Sequence, residues 1–176
     1  MSIDPKALEA LAAKEEIREL AQLYSRGVDR KDIELLKTLY AKDATDHHGS
    51  HFSGAADAYI EFLARSLPHI HVGGHFICNH LISVIDGENA EGEVYALAYH
   101  FIPDGKGGTA RDVAGVRYID RYRRENGRWL FAKRVVVFDF RDIKPVPAPA
   151  GPSPAPGDDP SYAHLESRLF ARGPRA

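Results

Sequence analysis

The stretch His69-Ile70-His71-Val72-Gly73-Gly74-His75-Phe76-Ile77-Cys78-Asn79 decides how this 176-residue chain is read. It carries three of the nine histidines, and His80 follows directly. After the Gly73-Gly74 pair the pattern turns β-like. On a regular strand His75, Ile77, Asn79 and Leu81 share one face, and Phe76, Cys78 and His80 share the other. A histidine and an amide among aliphatic residues on one strand face predict a pocket lined in part by polar groups.

Upstream the pattern is helical. Asp4-Pro5 is a helix start, with a capping carboxylate and proline at the first helical position. From there to about Asp29, Leu8, Leu11, Ile17, Leu20, Leu23 and Tyr24 recur at spacings of three and four, while Glu15, Glu16, Arg18 and Glu19 mostly take the other side. Gly27 is expected to loosen the last turn. Asp32 is expected to cap a second helix, Asp32 to Tyr40, closing a helical hairpin. A short extended piece (Ala44 to Gly54) leads to a third helix, Gly54 to Leu67, ended by Pro68.

Downstream come four strand candidates: about Gly74 to Asp86, Ala90 to Pro103, Thr109 to Arg124 and Arg128 to Phe140. The Gly-containing turns between them are hairpin signals. Helices followed by a meander of long strands predict an α+β fold with a curved antiparallel sheet. This domain spans residues 1–144. Residues 145–176 form a Pro-, Ala- and Gly-rich tail, expected to be extended or mobile, followed by a short amphipathic helix candidate at Ser161 to Arg172. A helix that short is marginal alone and is expected to dock on the body or on a neighbouring subunit.

Composition narrows the function. The apolar fraction is 44%, the charged fraction 27% and the formal net charge −2, which gives no footprint for nucleic acid or for an electrostatic membrane anchor. The single cysteine, Cys78, excludes an intrachain disulfide and a cysteine-cluster metal site. No apolar run approaches a membrane span, and the N-terminus lacks the pattern of a signal peptide. The expectation is a soluble protein of a reducing cytoplasm.

The local sequence resembles the SnoaL-like branch of the nuclear transport factor 2 superfamily. The resemblance is carried by L-Y-S-R-G-V-D-R-K-D-I-E-L-L in the first helical pair, by G-G-H-F-I-C-N-H in the first long strand, and by Y-R-R-E-N-G-R-W-L-F-A-K-R-V-V-V-F-D in the last. It covers roughly residues 10–142. It implies a cone-shaped α+β barrel in which the sheet packs on three N-terminal helices, and association through the sheets as dimers or trimers. Enzymes of this kind include scytalone dehydratase, hexachlorocyclohexane dehydrochlorinase and bile-acid 7α-dehydratase. By that resemblance the family's Asp–His pair falls on Asp29 and His75. A substrate-touching tyrosine falls on Tyr24, five residues before the aspartate. Asn79, four residues after His75, matches the dehydrochlorinase pattern. His48 falls near the pocket mouth, and His100, Arg117 and Arg134 complete the candidate substrate-binding set.

Those residues suit an elimination. Histidine titrates near working pH and can take a proton from carbon. An aspartate on its other nitrogen fixes the tautomer and stabilises the imidazolium. A tyrosine hydroxyl, an amide or an arginine can assist the departing oxygen. This chemistry requires neither metal nor cofactor. The expected function is a lyase that dehydrates a small hydrophobic, aromatic or polycyclic hydroxylated substrate. Loss of formaldehyde from a hydroxymethyl group is a variant that the resemblance also implies.

Each residue also has a plainer reading. Asp29 can cap a helix end, Tyr24 can be a core aromatic, His75 can be a satisfied buried histidine, and His47 and His48 can lie in a solvated loop. His47, His48, His51, His69, His71 and His80 invite a metal reading, but no H-E-x-x-H helix accompanies them. The arginines at 111, 117, 121, 123 and 124, alternating with Tyr118 and Tyr122, read mostly as an exposed sheet face. Two further functions compete: an isomerase of the ketosteroid isomerase kind, which shares the superfamily fold, and a non-catalytic ligand-binding or oligomerisation module.

Overall fold

Asp4 accepts a hydrogen bond from the Lys6 backbone N–H at 3.1 Å and starts α1 (Pro5–Asp29). The computed structural model describes residues 4–149 and 154–175. The middle of the Pro-rich tail and the first three residues lie outside that range. The inner side of α1 buries Ile17, Leu20, Leu23, Tyr24 and Val28. Leu8 and Leu11, expected on this face, are 55% and 60% exposed, because the buried stripe runs back through Ala13 and leaves both on the opposite side of the helix.

Gly27 plays a different part from the loosening expected of it. The helix continues through it, and a Cβ there would stand 2.7 Å from Leu36 Cδ2. Its bare Cα lets α2 (Ile33–Lys37) lie against α1. Asp32 caps α2 through the Leu35 N–H at 3.1 Å. This helix is shorter than predicted, because Tyr40 already belongs to β1 (Tyr40–His48). β1 turns into β2 (Phe52–Ala55), which leads directly into α3 (Ala56–Ser66) and a 3₁₀ turn at Leu67–His69.

Four long strands follow: β3 (Val72–Val84), β4 (Asn89–Pro103), β5 (Thr109–Glu125) and β6 (Arg128–Val146). With β1 and β2 they form one six-stranded sheet in the order β2-β1-β6-β5-β4-β3. The fold is α+β, as expected. Two details differ from the expectation. The sheet is mixed, because β1 runs parallel to β6. It also does not close into a barrel, since β2 and β3 remain its edges. The helices pack against its inner side, and most of the buried apolar residues lie between them.

Three bulges set which residues face inward. In β3, Ile77 pairs with Ala96 and His80 with Val94, so Cys78 and Asn79 oppose Tyr95 alone. In β6, Ala132 and Asp139 are the extra residues against β5. Each bulge reverses the alternation, so Phe131, Arg134, Val136 and Phe138 face inward and Arg141 lines the cavity beyond the second bulge.

The tail helix is one turn, α4 (Ser161–His164), with a 3₁₀ turn at Arg168–Phe170, rather than the continuous helix predicted over Ser161 to Arg172. It docks on the helices. Arg26 donates to Ser161 Oγ and to the Phe170 carbonyl, both at 2.9 Å, and Asp32 accepts from the Gly173 N–H at 2.9 Å.

Candidate active site

The helices and the inner side of the sheet enclose a partly open cavity of about 240 Å³. Its lining is mainly apolar and includes Val28, Leu63, Ile70, Ala114, Val136 and Phe138. Four histidines enter it: His48, His51, His75 and His100. Tyr24, Tyr59 and Tyr118 are each at most 2% exposed and line its inner walls, while Arg141 and His51 stand at the exposed rim.

Asp29 and His75 meet although 46 residues separate them. Asp29 ends α1, and His75 lies where β3 passes beneath that end. Asp29 Oδ1 stands 2.6 Å from His75 Nδ1, and Oδ2 accepts the His75 backbone N–H at 3.0 Å. His75 lines the cavity, whereas Asp29 stands behind it. With Nδ1 engaged, Nε2 is the nitrogen left for a ligand, and it has no protein partner among the described residues.

His100 sits on β4 beside this pair, its ring 5.2 Å from that of His75. Burial, followed by the neighbouring His75, pushes its pKa down to about 4, so it is a neutral imidazole near pH 7. Gly73 makes room for it, since a Cβ there would stand 3.1 Å from His100 Cδ2.

Tyr24 faces the cavity from α1. Its hydroxyl lies 2.7 Å from that of Tyr59 on α3. Burial, with the charge of Asp46 adding to it, holds the Tyr24 phenol far above its usual range, so it stays protonated. His48 also faces the cavity. Its Nδ1 lies 2.8 Å from Asp46 Oδ1, and its Nε2 lies 3.3 Å from the Tyr59 hydroxyl.

Three of the predicted substrate-binding residues lie elsewhere. Asn79 is exposed, because the β3 bulge turns it outward and puts His80 inside in its place. Arg117 is on the outer face of β5, bound to Asp139 and Glu93. Arg134 does point inward but lies behind the cavity wall, fully buried and paired through both Nε and Nη2 with Asp120. Its guanidinium lies 4.4 Å from the ring centres of Tyr24 and Tyr118 and 4.0 Å from that of Phe131. Tyr118 and Tyr122, read as part of an exposed face, are buried beside it at 2% and 1% exposure.

Asp46, Tyr59, Asp112 and Arg141 were not anticipated. Asp112 and Arg141 form a two-pronged pair at the rim, at 2.9 and 2.7 Å, and Arg141 Nη1 reaches His51 at 3.2 Å. Asp46 and His48 are two apart on one strand, hence on one face, which is the signal in D-H-H that could have found them. Among the described residues no group of three or more His, Cys, Asp or Glu is placed to hold a metal ion, and no helix is long and apolar enough to cross a membrane.

Three solved structures share this architecture. A protein from Kribbella flavida is 20% identical, with a TM-score of 0.68, covering 76% of this chain and 95% of its own. A putative scytalone dehydratase from Novosphingobium aromaticivorans is 19% identical, with a TM-score of 0.71, covering 82% and 99%. Hexachlorocyclohexane dehydrochlorinase LinA-type3 from Novosphingobium barchaimii is 18% identical, with a TM-score of 0.70, covering 84% and 99%. At these identities the likeness concerns the fold. No curated protein matches the chain at a significant level. The SnoaL-like domain model matches residues 9–135, most of the chain and all of the helices and strands that build the cavity up to β6, and the protein therefore belongs to the SnoaL-like family.

Proposed function

We propose that the protein is a cofactor-independent lyase that removes water from a small hydroxylated aromatic substrate. One observation carries this reading: a histidine whose Nδ1 is held by a carboxylate at 2.6 Å, on the wall of a mainly apolar cavity. His75 Nε2 takes the proton from carbon, and Asp29 positions the ring and stabilises the imidazolium. The low-polarity surroundings strengthen both interactions. A cavity of about 240 Å³ exceeds the roughly 150 Å³ that holds a benzene ring. That favours one substituted ring or two fused rings over larger polycycles.

The test is a screen of one- and two-ring β-hydroxy carbonyl and hydroxymethyl compounds with no added cofactor. The expected product is lighter by one water, and His75→Gln is expected to slow its formation by about 10³-fold. A product lighter by formaldehyde would redirect the reading to that cleavage. A product of unchanged mass would replace it with isomerisation.

Association of copies belongs to the same proposal. The outer face of the sheet exposes Phe76, Tyr95, Leu97, Ile119 and Phe140, a cross-strand apolar patch of the kind that marks an interaction surface. Light scattering is expected to report an oligomer, and a monomer would overturn this part. Cys78, exposed on the same strand, suits a reducing cytoplasm.

A further inference from the structure

The cavity holds a second Asp–His pair. Asp46 is fully buried on β1 and accepts from the Tyr40 hydroxyl at 2.9 Å on Oδ2. Its other oxygen stands 2.8 Å from His48 Nδ1. As with Asp29 and His75, the imidazole lines the cavity while the carboxylate stands behind it. The His48 ring stacks on Tyr59 with centroids 4.8 Å apart, its Nε2 lies 3.3 Å from the Tyr59 hydroxyl, and that hydroxyl lies 2.7 Å from the Tyr24 hydroxyl. The result is a continuous chain: Asp46, His48, Tyr59, Tyr24.

His48, at one end of this chain, enters the cavity from a strand remote from that of His75. In the sheet order, β1 and β3 are separated by β6, β5 and β4. The curved sheet brings His48 and His75 to one cavity from opposite ends. An elimination can use two such groups, because the proton leaves one carbon while the oxygen leaves its neighbour.

We propose that Asp46, His48, Tyr59 and Tyr24 form a proton-delivery chain to the departing oxygen, with His48 as the proton source and Asp46 as its positioning residue. This deepens the lyase reading and rests on it for the reaction, though not for the proton-donor property itself. The substrate C–H proton passes to His75 Nε2, and its electron pair becomes the new double bond. The C–O bond breaks with its pair on oxygen, which takes the Tyr24 proton. Tyr24 takes the proton of Tyr59, and Tyr59 takes that of His48 Nε2. Water leaves, His75 is left as imidazolium and His48 as neutral imidazole. Exchange with solvent restores both.

A purely structural role for Asp46 and His48 makes a different forecast, so two measurements separate the readings. The first is substrate-independent. Nitrophenolate, titrated by its visible absorbance, presents an oxyanion to the chain. The wild type is expected to bind it, and His48→Gln and Tyr59→Phe, each checked for native circular dichroism, are expected to bind at least about tenfold more weakly. Wild-type-like binding in both variants, or no binding by the wild type, overturns the proposal.

The second measurement compares the benzaldehyde–acetone aldol with its β-chloro counterpart, which both give the same enone. Chloride leaves without a proton, whereas hydroxide needs one. The hydroxy-to-chloro rate ratio is expected to fall about 100-fold in His48→Gln and in Asp46→Asn, the scale of general-acid catalysis, and to hold in the residual activity of His75→Gln. An unchanged ratio in His48→Gln overturns the proposal. If nitrophenolate binding depends on His48 but neither ketone eliminates, the donor chain stands and the lyase reading fails.

Discussion

Asp29 holds His75 twice, accepting its backbone N–H at 3.0 Å on one oxygen and facing Nδ1 at 2.6 Å with the other. One carboxylate thereby sets both the path of β3 beneath α1 and the tautomer of the imidazole. In Asp29→Asn one oxygen becomes an NH₂ group, which cannot accept the Nδ1–H or the amide. The kcat for elimination is expected to fall about 10³-fold or more, the scale on which wrong-tautomer Asp–His pairs fail. Nitrogen NMR of labelled histidine is expected to show the His75 proton moved from Nδ1 to Nε2. An unchanged tautomer together with undiminished activity would remove Asp29 from its positioning role.

Arg134 and Asp120 form an ion pair with both side chains fully buried. Burial alone would lower the Arg134 pKa, but Asp120's charge and hydrogen bonds keep it well above the usual arginine value. Tyr122 donates to the same carboxylate at 3.0 Å, and three aromatic rings surround the guanidinium. Removing one partner strands the other as a buried charge. Arg134→Met and Asp120→Asn are each expected to cost about 3–5 kcal/mol in urea unfolding. Arg134→Met combined with Asp120→Leu is expected to recover part of that loss. Additive costs in the double variant would contradict the account.

Stability is expected to fall on the acid side. Burial lowers the pKa of both His80 and His100 from 6.5 to about 4. Below pH 6.5 the unfolded chain binds protons that the folded chain refuses until about pH 4. The advantage is full above the first value and is lost towards the second, amounting to about 1–3 kcal/mol per site. Urea midpoints measured across this window are expected to slope downward towards acid. His80→Gln is expected to reduce the slope, and an unaltered slope would exclude His80.

Gly27→Ala sets two effects of opposite sign against each other. Alanine in a helix gains about 1 kcal/mol over glycine. Here its Cβ would meet Leu36 Cδ2 and Cγ at 2.7 and 2.8 Å, and Leu36 is fully buried with nowhere to move. Overpacking costs about 1–3 kcal/mol, so a net loss of about 1 kcal/mol is expected by thermal or urea unfolding. A net gain would mean that the contact between α1 and α2 relaxes freely.

Local pattern determined the long elements, α1 and β3 to β6. The 3.6-residue stripe in α1, the period-two runs of β3 to β6 and the Gly-containing turns each report the environment of their own segment. The pairing of Asp29 with His75, and the place of Tyr24, came from resemblance rather than periodicity, and the structure brings Asp29 to His75 and Tyr24 to the same cavity. Tertiary structure decided what any one segment could not carry. A bulge is visible only against its partner strand, so the single extra residue in β3 moved Asn79 outward and His80 inward. Two more in β6 aimed Arg134 at the core and Arg141 at the rim. Arg117 went outward because strand parity placed it on the face where Asp139 and Glu93 bind it, whereas Tyr118 and Tyr122, of the other parity, went inward. Asp46 and His48 gained Tyr59 and Tyr24 as partners only when α1, α3 and β1 converged on one cavity. Spacing along a chain dictates which face a side chain shares, but the partner on that face is supplied by distant segments that packing brings together.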